Sequence, residues 1–281
     1  MQRDPIPFRK MHGLGNDFVI VDARSQPLVL TDAQARRIAG RREGVGCDQI
    51  ITIEPARMPD TAAFMGIRNA DGGVVEACGN ATRCVARLLM DESGDDSITL
   101  DTLAGPVVAE RAADGAMRVN MGPARWTWEA IPLAEPRDTL SLDLGQAPFA
   151  DAIAVSMGNP HVVAIVDDAE TIDLPAIGPM IEHHPLFPNR VNAEVISRAP
   201  DGTVRMRVWE RGAGITRACG TGACAALVAA VRKGLVPAQP TRIILDGGAL
   251  EIDWRGGDAP VWMTGPVSTV FTGFLDPSLL S

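Results

Sequence analysis

The sequence predicts a mixed α/β (α+β) fold of two pseudo-symmetric domains that arose by internal duplication. Short apolar runs with strand character are interrupted by only a few helical segments. Two glycine-containing turns each place a cysteine at the start of a helix, and these cysteines, Cys78 and Cys219, are related by an offset of 141. Gly15-Asn16 and Gly158-Asn159 each open an apolar strand at an offset of 143. An offset this constant indicates a duplication, and its period is too long for a solenoid repeat.

Composition narrows the class of partner. The 281 residues are 46% apolar and 22% charged, which is typical of a soluble globular protein. A net charge of −9 without a basic cluster argues against nucleic acid or an anionic membrane surface as partner. The N-terminal sequence lacks the apolar core of a secretory signal, and the longest apolar run, 218–231, is too short and too glycine-interrupted to span a bilayer. We therefore expect a small-molecule substrate, no nucleic acid and no membrane.

Cysteine and lysine usage narrows the chemistry. Five cysteines, an odd number, suggest a reducing compartment and hence a cytoplasmic location. Cys78/Cys84 and Cys219/Cys224 lie inside predicted helices at spacings that do not suit zinc, so no metal is expected. The only two lysines lie near the N-terminus and at a predicted helix end, which are poor positions for a pyridoxal Schiff base. No cofactor is expected.

The elements of the first half follow from hydrophobic periodicity and capping residues. Thr31 caps a predicted helix over 32–42, and the turn before Cys78 leads into a helix that reaches about residue 92. A glycine loop delivers Cys47 and Gln49 to a short strand. After a polar N-terminal lead, the predicted strands of this half are 18–21, 50–53, 64–68, 97–101, 107–111 and 117–121.

The second half repeats this order. Helices are predicted near 172–182 and from Cys219 through the alanine-rich stretch that follows it. Asn192 corresponds to Gln49 at an offset of 143, and Glu210 corresponds to Asn69 at an offset of 141. The predicted strands are 162–166, 204–209, 242–246, 249–254 and 260–264.

Each half thus contains about two helices and six or seven strands, which we expect to form a mostly antiparallel sheet wrapped around a central helix. The last strand, 267–274, has no counterpart in the repeat and is expected to return to the first domain. The predicted domains are 1–123 plus 266–281, and 124–265. We expect the active site in the cleft between them.

The duplicated cysteines suggest proton chemistry. The first backbone N–H groups of a helix have no partner within the helix, so a thiol placed there is expected to ionise readily, with a pKa near or below neutral. One such thiol on each side of a ligand could remove a proton from one face of a carbon and deliver a proton to the other. Stereoinversion at a carbon needs this arrangement. The amides at the same helix starts could bind an α-carboxylate and stabilise its developing charge.

The motifs that carry these residues resemble those of diaminopimelate epimerase. They are His12-Gly-Leu-Gly-Asn-Asp-Phe18, Asn69-Ala-Asp-Gly with Ala77-Cys-Gly-Asn80, Met157-Gly-Asn-Pro-His161, and Glu210-Arg-Gly-Ala-Gly with Ala218-Cys-Gly-Thr-Gly-Ala223. They are specific in combination and cover nearly the whole chain, except for 125–150. The resemblance implies a cofactor-independent two-base epimerase that interconverts LL- and meso-2,6-diaminoheptanedioate for lysine and peptidoglycan precursors. It also implies a cytoplasmic homodimer.

By the same resemblance each motif residue receives a role. Cys78 and Cys219 would be the catalytic acid/base pair, and His161 and Glu210 would tune the protonation of the thiols. The substrate-binding set would be Asn16, Gln49, Asn69, Gly79, Asn80, Asn159, Asn192, Glu210, Arg211, Gly220 and Thr221. A substrate with two ammonium and two carboxylate groups suits several neutral amides, one arginine and one carboxylate.

Three positions depart from the family pattern. Ala81 replaces a glycine after Cys-Gly-Asn, and Ile215 stands where a glutamate is frequent. Cys47 lies two residues before Gln49 and could be an oxidation-prone thiol near the site. These departures concern specificity or rate rather than the type of reaction.

Three other functions compete with the epimerase. The first is a proline or hydroxyproline racemase, or another amino-acid racemase; the proline-type enzymes use paired cysteines but typically carry histidine where this chain has Asn80. A thiol redox couple is disfavoured because no Cys-x-x-Cys motif occurs. A non-catalytic amino-acid-binding protein would bind its ligand normally after both cysteines are changed to serine.

Overall fold

A computed structural model describes residues 5–281 of the chain. The chain separates into two compact units. The first unit comprises the residues up to Val119 together with Gly265–Ser281, and the second unit comprises Asn120–Thr264. No helix among residues 5–281 is both long enough and apolar enough to cross a membrane.

The first unit, over the residues that the structure describes, is a sheet of eight strands with two helices. Its strand order is β16-β1-β2-β3-β4-β5-β6-β7. Strands β2/β3 and β4/β5 pair in parallel, and the other neighbours pair antiparallel. The elements are β1 (Ile6–Gly13), β2 (Asn16–Asp22), α1 (Asp32–Ala39), β3 (Gln49–Glu54), β4 (Ala63–Asn69), α2 (Gly79–Ser93), β5 (Ser97–Asp101), β6 (Val107–Arg111), β7 (Met117–Pro123) and β16 (Ser268–Leu275).

The second unit repeats this plan. Its strand order is β15-β14-β13-β11-β10-β9-β8, with the short β12 paired to β11. The elements are β8 (Ile153–Ser156), β9 (Pro160–Ile165), α3 (Leu174–Glu182), β10 (Asn192–Arg198), β11 (Val204–Glu210), β12 (Gly214–Ile215), α4 (Gly220–Arg232), β13 (Thr241–Leu245), β14 (Gly248–Asp253) and β15 (Pro260–Gly265). The predicted mixed α/β class is confirmed.

The register of the strands shows the duplication directly. In the parallel pair β2/β3, Phe18 lies opposite Gln49. In the parallel pair β9/β10, His161 lies opposite Asn192. Each residue of the second pair follows its counterpart in the first at the same offset of 143, so the pairing of one unit is copied in the other. This agreement confirms the internal duplication that the sequence predicts.

One central helix packs against the sheet of each unit. Helix α2 contacts β1, β2, β5 and β6, and helix α4 contacts β8, β9, β10, β11, β13 and β14. Every residue of α4 from 222 to 230 is buried. A helix that is apolar all round must be covered on all sides, and its small alanines let the strands approach closely. The two helix starts, each preceded by a cysteine, are thereby held in place by the core.

Several element predictions are wrong in detail. Within residues 5–281 each unit has eight strands, among them β1, β8 and β10, which the sequence analysis does not assign. Strand β1 contains a proline, an arginine, a lysine and a histidine, so its sequence resembles a polar lead although its residues alternate between buried and exposed in the structure. Helix α1 ends at Ala39 rather than at residue 42. Val45 and Gly46 both donate backbone hydrogen bonds to Ile38, which folds the chain back after the helix.

Candidate active site

Cys78 is the N-cap residue of α2 and is half-buried. Its Sγ lies 4.0 Å from Oδ1 of Asn16, at the start of β2. Asn80, in the first turn of α2, donates from Nδ2 to the same Oδ1 at 3.1 Å. The structure therefore brings together the thiol and two of the side chains predicted to bind substrate in this unit.

Two charged groups hold these asparagines. Asn16 Nδ2 donates to Oδ2 of Asp48 at 2.9 Å, and the fully buried Arg83 donates to Oδ1 of Asn80 at 2.8 Å. Gly13 makes room for this arginine, because a Cβ at residue 13 would lie 2.7 Å from Nη2 of Arg83. Asp48 and Arg83 thus fix the orientations of the two side-chain amides beside Cys78.

Ion pairs of the Asp17 carboxylate stabilise the start of β2, the strand that carries Asn16. Its carboxylate contacts Lys10 at 2.6 Å and Arg41 at 2.8 Å, and it is 16% exposed. Burial alone would raise the pKa of Asp17, but hydrogen bonds from Arg41 and Lys10 hold this pKa well below its usual range. The ion pairs therefore stabilise the folded state whenever the carboxyl is ionised.

Gln49 and Asn69 form a second polar pair in the first unit. They lie opposite each other on the antiparallel strands β3 and β4, and Gln49 Nε2 donates to Oδ1 of Asn69 at 2.9 Å. The Asn69 N–H bonds to the carbonyl of Gly73, which closes the loop that leads toward α2. Each side chain keeps further amide hydrogen-bonding capacity for a ligand.

Cys219 is the N-cap residue of α4 and is only 5% exposed. Its Sγ accepts from the Gly222 N–H at 3.3 Å and lies 3.6 Å from Oγ1 of Thr221. The thiol and the carboxyl of Glu210 are close enough to influence each other's pKa. Glu210 additionally accepts a hydrogen bond from the Thr216 hydroxyl. The glycine-rich turn thus places one carboxyl and one thiol against each other.

The prediction of a low thiol pKa is wrong for Cys219. Burial, followed by the negative charges of Glu210 and Glu194, raises the pKa of this thiol well above its ordinary value. Hydrogen bonds from Thr221 and Gly222 only partly offset these effects. Burial also raises the pKa of Glu210. The loss of hydration outweighs the helix N-terminus at this site, so Cys219 holds its proton.

A polar network extends from Cys219 to the interior. Asn159 Nδ2 lies 3.3 Å from Oγ1 of Thr221, and Asn159 Oδ1 lies 3.0 Å from Nε2 of His161. Nδ1 of His161 lies 2.7 Å from Oε1 of Glu194. Asn159 and His161 are predicted from the sequence as site residues, whereas Glu194 is not. The duplication could have identified Glu194, because this glutamate occupies the position that corresponds to the apolar Ile51 of the first half.

Asn192 and Arg211 are coupled through the backbone. The buried Asn192 accepts from the N–H of Arg211 at 2.8 Å and donates to the carbonyl of Pro160 at 3.0 Å. The exposed Arg211 guanidinium donates to the carbonyl of Asn189 at 3.0 Å. Glu182 accepts from the Gly212 N–H at 2.9 Å and so fixes the next residue of the turn. Asn192 thus holds the turn that carries the arginine.

The backbone positions predicted to bind substrate lie at the helix starts. Gly79 and Asn80 are the first two residues of α2, and Gly220 and Thr221 are the first two residues of α4. Backbone N–H groups at such positions are suited to bind an anion. Among residues 5–281 no group of three or more His, Cys, Asp or Glu side chains is placed to hold a metal ion.

The remaining cysteines belong to the core, and one expectation about them is wrong. Cys47 is 2% exposed and packs in the apolar core of the first unit. Burial raises the pKa of Cys47 to about 11 and that of Cys84 to about 12. A thiol that is both buried and protonated reacts slowly, so Cys47 is not the oxidation-prone group that the sequence suggests. Cys224 is fully buried in α4.

Comparison with solved structures defines the class of fold. The chain is similar to a hydroxyproline epimerase from Agrobacterium vitis, with a TM-score of 0.68 over 99% of this chain and 94% of that one at 17% identity. It is also similar to a probable proline racemase from Agrobacterium radiobacter, with a TM-score of 0.67 over 95% and 92% of the two chains at 18% identity. At such identities the likeness concerns the fold alone.

Sequence comparison is more specific. The family model for diaminopimelate epimerase matches residues 8–127 and 153–270. The chain is 56% identical to the diaminopimelate epimerase of Rhodospirillum centenum, over 97% of this chain and 93% of that protein. It is 53% identical to the diaminopimelate epimerase of Acidiphilium cryptum, over 98% of both proteins. The chain therefore belongs to the diaminopimelate epimerase family, a family of isomerases.

Proposed function

We propose that this protein epimerises LL-2,6-diaminoheptanedioate to the meso isomer, as a step toward lysine and peptidoglycan precursors. The observation that carries the proposal is the pair of thiols, Cys78 and Cys219, each at the N-cap of a central helix in one copy of the duplicated unit. Membership of the diaminopimelate epimerase family supports the choice of substrate. The reaction proceeds by two acid/base groups without pyridoxal phosphate or another cofactor.

The chemistry is a proton exchange between two sulfurs and one carbon. The Cα–H bond breaks as one thiolate takes the proton, and a new Cα–H bond forms on the opposite face as the other thiol gives up its proton. The number of protons on enzyme and substrate together stays constant. Because burial and neighbouring carboxylates raise the pKa of Cys219, we assign it the protonated, donating role at the start of turnover. Cys78 then begins as the thiolate.

Charge that develops on the substrate is balanced by the helix starts. Removal of the α-proton spreads negative charge into the α-carboxylate, and the first N–H groups of α2 and α4 are donors suited to it. These donors include the amides at Gly79, Asn80, Gly220 and Thr221. They are fixed before the reaction, so little reorganisation is needed.

The rest of the site recognises the remote end and the ammonium groups. We propose that Arg211 binds a carboxylate and that Glu210 pairs with an ammonium group, since their charges complement such a substrate. Neutral amides provide the other contacts without adding net charge. They belong to Asn16, Gln49, Asn69, Asn80, Asn159 and Asn192.

The test is solvent proton exchange. The purified, reduced protein in D2O should incorporate deuterium at the α-carbon of LL-2,6-diaminoheptanedioate and form the meso isomer, as measured by NMR. Cys78→Ala and Cys219→Ala should each lower kcat at least about 1000-fold. Cys47→Ala is the matched control, because it removes a buried thiol outside the site, and it should retain the wild-type rate. Exchange with L-proline but not with LL-2,6-diaminoheptanedioate would contradict the proposal.

We also propose a cytoplasmic location. All five cysteines are present as thiols rather than disulfides, and the mechanism requires Cys78 and Cys219 to stay reduced. A reducing compartment provides that condition. Fractionation of cells that produce the protein should recover it with cytosolic markers, and recovery with periplasmic or membrane markers would refute this location.

We further propose a homodimer that forms through β16. This strand lies at the end of the strand order of the first unit, and it exposes Val270, Phe271 and Phe274 at 55%, 47% and 69%. An apolar strand edge favours pairing, and a second copy of the same strand is self-complementary about a two-fold axis. Phe274→Ser should shift the mass measured by light scattering from dimer to monomer. Val29→Ser, at an 88% exposed apolar residue elsewhere in this unit, should not.

A further inference from the structure

The interior of the second unit contains a pair of ionisable side chains, and the corresponding two positions of the first unit are apolar. His161 and Glu194 are both fully buried, and Nδ1 of the ring lies 2.7 Å from Oε1 of the carboxyl. Their counterparts in the duplication are Phe18 and Ile51, which are also fully buried and are apolar. The same fold is therefore built with an apolar pair in one copy and an ionisable pair in the other.

Stability does not explain this substitution. Two buried charges lose their hydration, and a well-packed apolar pair of similar volume is often as stable or more stable. The first unit demonstrates that the fold accepts apolar side chains at these positions. Among residues 5–281, moreover, Oε2 of Glu194 has no hydrogen-bond partner although it is buried. Packing stability alone therefore does not account for an ionisable pair at these positions.

The hydrogen-bond pattern indicates the state of the ring. Nε2 of His161 lies 3.0 Å from Oδ1 of Asn159, and an amide oxygen can only accept. Nδ1 faces an oxygen of Glu194. If the carboxyl is ionised, it also can only accept, and both ring nitrogens then carry a hydrogen. His161 is in that case an imidazolium paired with a carboxylate.

The charged and titratable groups packed around this ring come from three elements. Glu194 is on β10 and Glu210 is on β11, where burial raises the pKa of Glu210 and the charge of His161 only partly offsets that rise. Helix α4, which packs on β9, contributes Cys219 and Cys224. Strand β8, on the other side, has no titratable residue. The ring of His161 thus lies among two carboxyls and two thiols, and a positive charge on the ring would offset the negative charge of the carboxyls.

We propose that Glu194 is a positioning residue that holds His161 as an imidazolium and thereby orients the amide of Asn159 toward Thr221 and Cys219. The series of contacts is continuous, at 2.7, 3.0, 3.3 and 3.6 Å from Glu194 to the sulfur. The consequence for the reaction rests on the proposed function. The positive ring also offsets the carboxylates that disfavour a thiolate at Cys219.

The packing of Gly222 supports this assignment. A Cβ at this residue would lie 2.9 Å from Oε1 of Glu194 and 3.1 Å from Sγ of Cys219. The Glu194 carboxyl and the Cys219 sulfur are therefore both packed against Gly222 in the first turn of α4. The corresponding residue of α2 is Ala81, and the residue that corresponds to Glu194 is the apolar Ile51. Glycine is thus found in the copy that places a carboxylate beside its thiol.

The first test reads the ring directly and does not depend on turnover. The chain has only four histidines, so the ¹⁵N signals of His161 can be assigned by substitution. At neutral pH the wild-type protein should show both ring nitrogens protonated, and Glu194→Gln should show one of them unprotonated. A neutral His161 in the wild-type protein would overturn the proposal, whether or not the protein epimerises diaminoheptanedioate.

The second test measures the effect on catalysis. Glu194→Gln should lower kcat about 10- to 100-fold with KM within about threefold, because the site is misoriented rather than emptied. Ser197→Ala, which removes a buried hydrogen bond from the same strand, is the matched control and should stay within about twofold of wild type. A folded Glu194→Gln with a kcat within threefold of wild type would overturn the proposal.

A double variant separates folding from function. His161→Phe with Glu194→Ile copies the apolar pair of the first unit, and its unfolding midpoint in urea should equal or exceed that of wild type. Its kcat should fall at least as far as that of Glu194→Gln. A double variant that keeps wild-type activity would refute a role for the pair. No turnover of LL-2,6-diaminoheptanedioate by the wild-type protein would instead refute the proposed function, and the ring signals would still decide the charge state.

Discussion

Gly222→Ala is the most informative single change at the start of α4. The backbone of Gly222 is helical, so alanine is not strained by its φ angle, and in a helix interior it would stabilise by up to about 1 kcal/mol. The added Cβ would, however, lie 2.9 Å from Glu194 Oε1 and 3.1 Å from Cys219 Sγ, where ordinary contact begins at 3.4 Å. The carboxylate must therefore move by at least about 0.5 Å and the sulfur by about 0.3 Å.

Both consequences can be estimated. Overpacking of this kind costs about 1–3 kcal/mol, so after the gain in helix propensity the net loss of stability is about 0–2 kcal/mol. A misplacement of about 1 Å at a reacting group can cost about 100-fold in rate, so a shift of about half that size should lower kcat about 10-fold. The variant should thus lose activity while it remains folded.

The assays are deuterium incorporation into LL-2,6-diaminoheptanedioate by NMR and urea unfolding followed by circular dichroism. Ala81→Gly is the matched control in α2, and it should cost up to about 1 kcal/mol while leaving kcat within about twofold of wild type. If Gly222→Ala keeps kcat within twofold of wild type and is stabilised by about 1 kcal/mol, the reasoning about Glu194 and Cys219 is refuted.

Three further predictions concern the first unit. Because Arg41 and Lys10 lower the pKa of Asp17 in the folded state, its ionised carboxyl stabilises the fold above about pH 4. This stabilisation is lost as the pH falls through the folded-state pKa. Asp17→Asn should therefore cost about 3 kcal/mol at pH 7 in urea unfolding and progressively less below pH 4, and a cost independent of pH would contradict this. Gly13→Ala should displace the Arg83 guanidinium and cost about 1–3 kcal/mol, and an unchanged urea midpoint would count against the close contact. Cys47, with a pKa of about 11, should stay unmodified by iodoacetamide at pH 8 in the folded protein, and its alkylation as shown by mass spectrometry would show that it is accessible.

Repetition made much of the fold predictable. The constant offset between the halves identifies the two central helices, their cysteines and most strands from sequence, because duplicated units keep their glycine turns and their apolar runs. The missed strands have weaker local signals. Strand β10 begins with an asparagine and contains Glu194, so periodicity alone does not show that its residues face the core.

The grouping of several candidate-site residues could be predicted from the sequence, but Glu194 and the electrostatics of the site could not. Residue type and position suggested Cys78, Cys219 and the asparagines, and the contacts of Asn16 with Asn80 and of Asn159 with Thr221 support their grouping. The pKa of Cys219 could not be predicted, because it depends on burial and on carboxylates brought from other strands. Such long-range neighbours are absent from any local motif.

The position of β16 has a consequence for the order of synthesis. This strand pairs antiparallel with β1, so Ile6 lies opposite Leu275 although almost the whole chain separates them. A nascent chain that has reached residue 264 already contains every residue of the second unit, but the sheet of the first unit still lacks its border strand. The first domain to be translated is therefore completed after the second, and until β16 has been synthesised its β1 edge stays open to other strands.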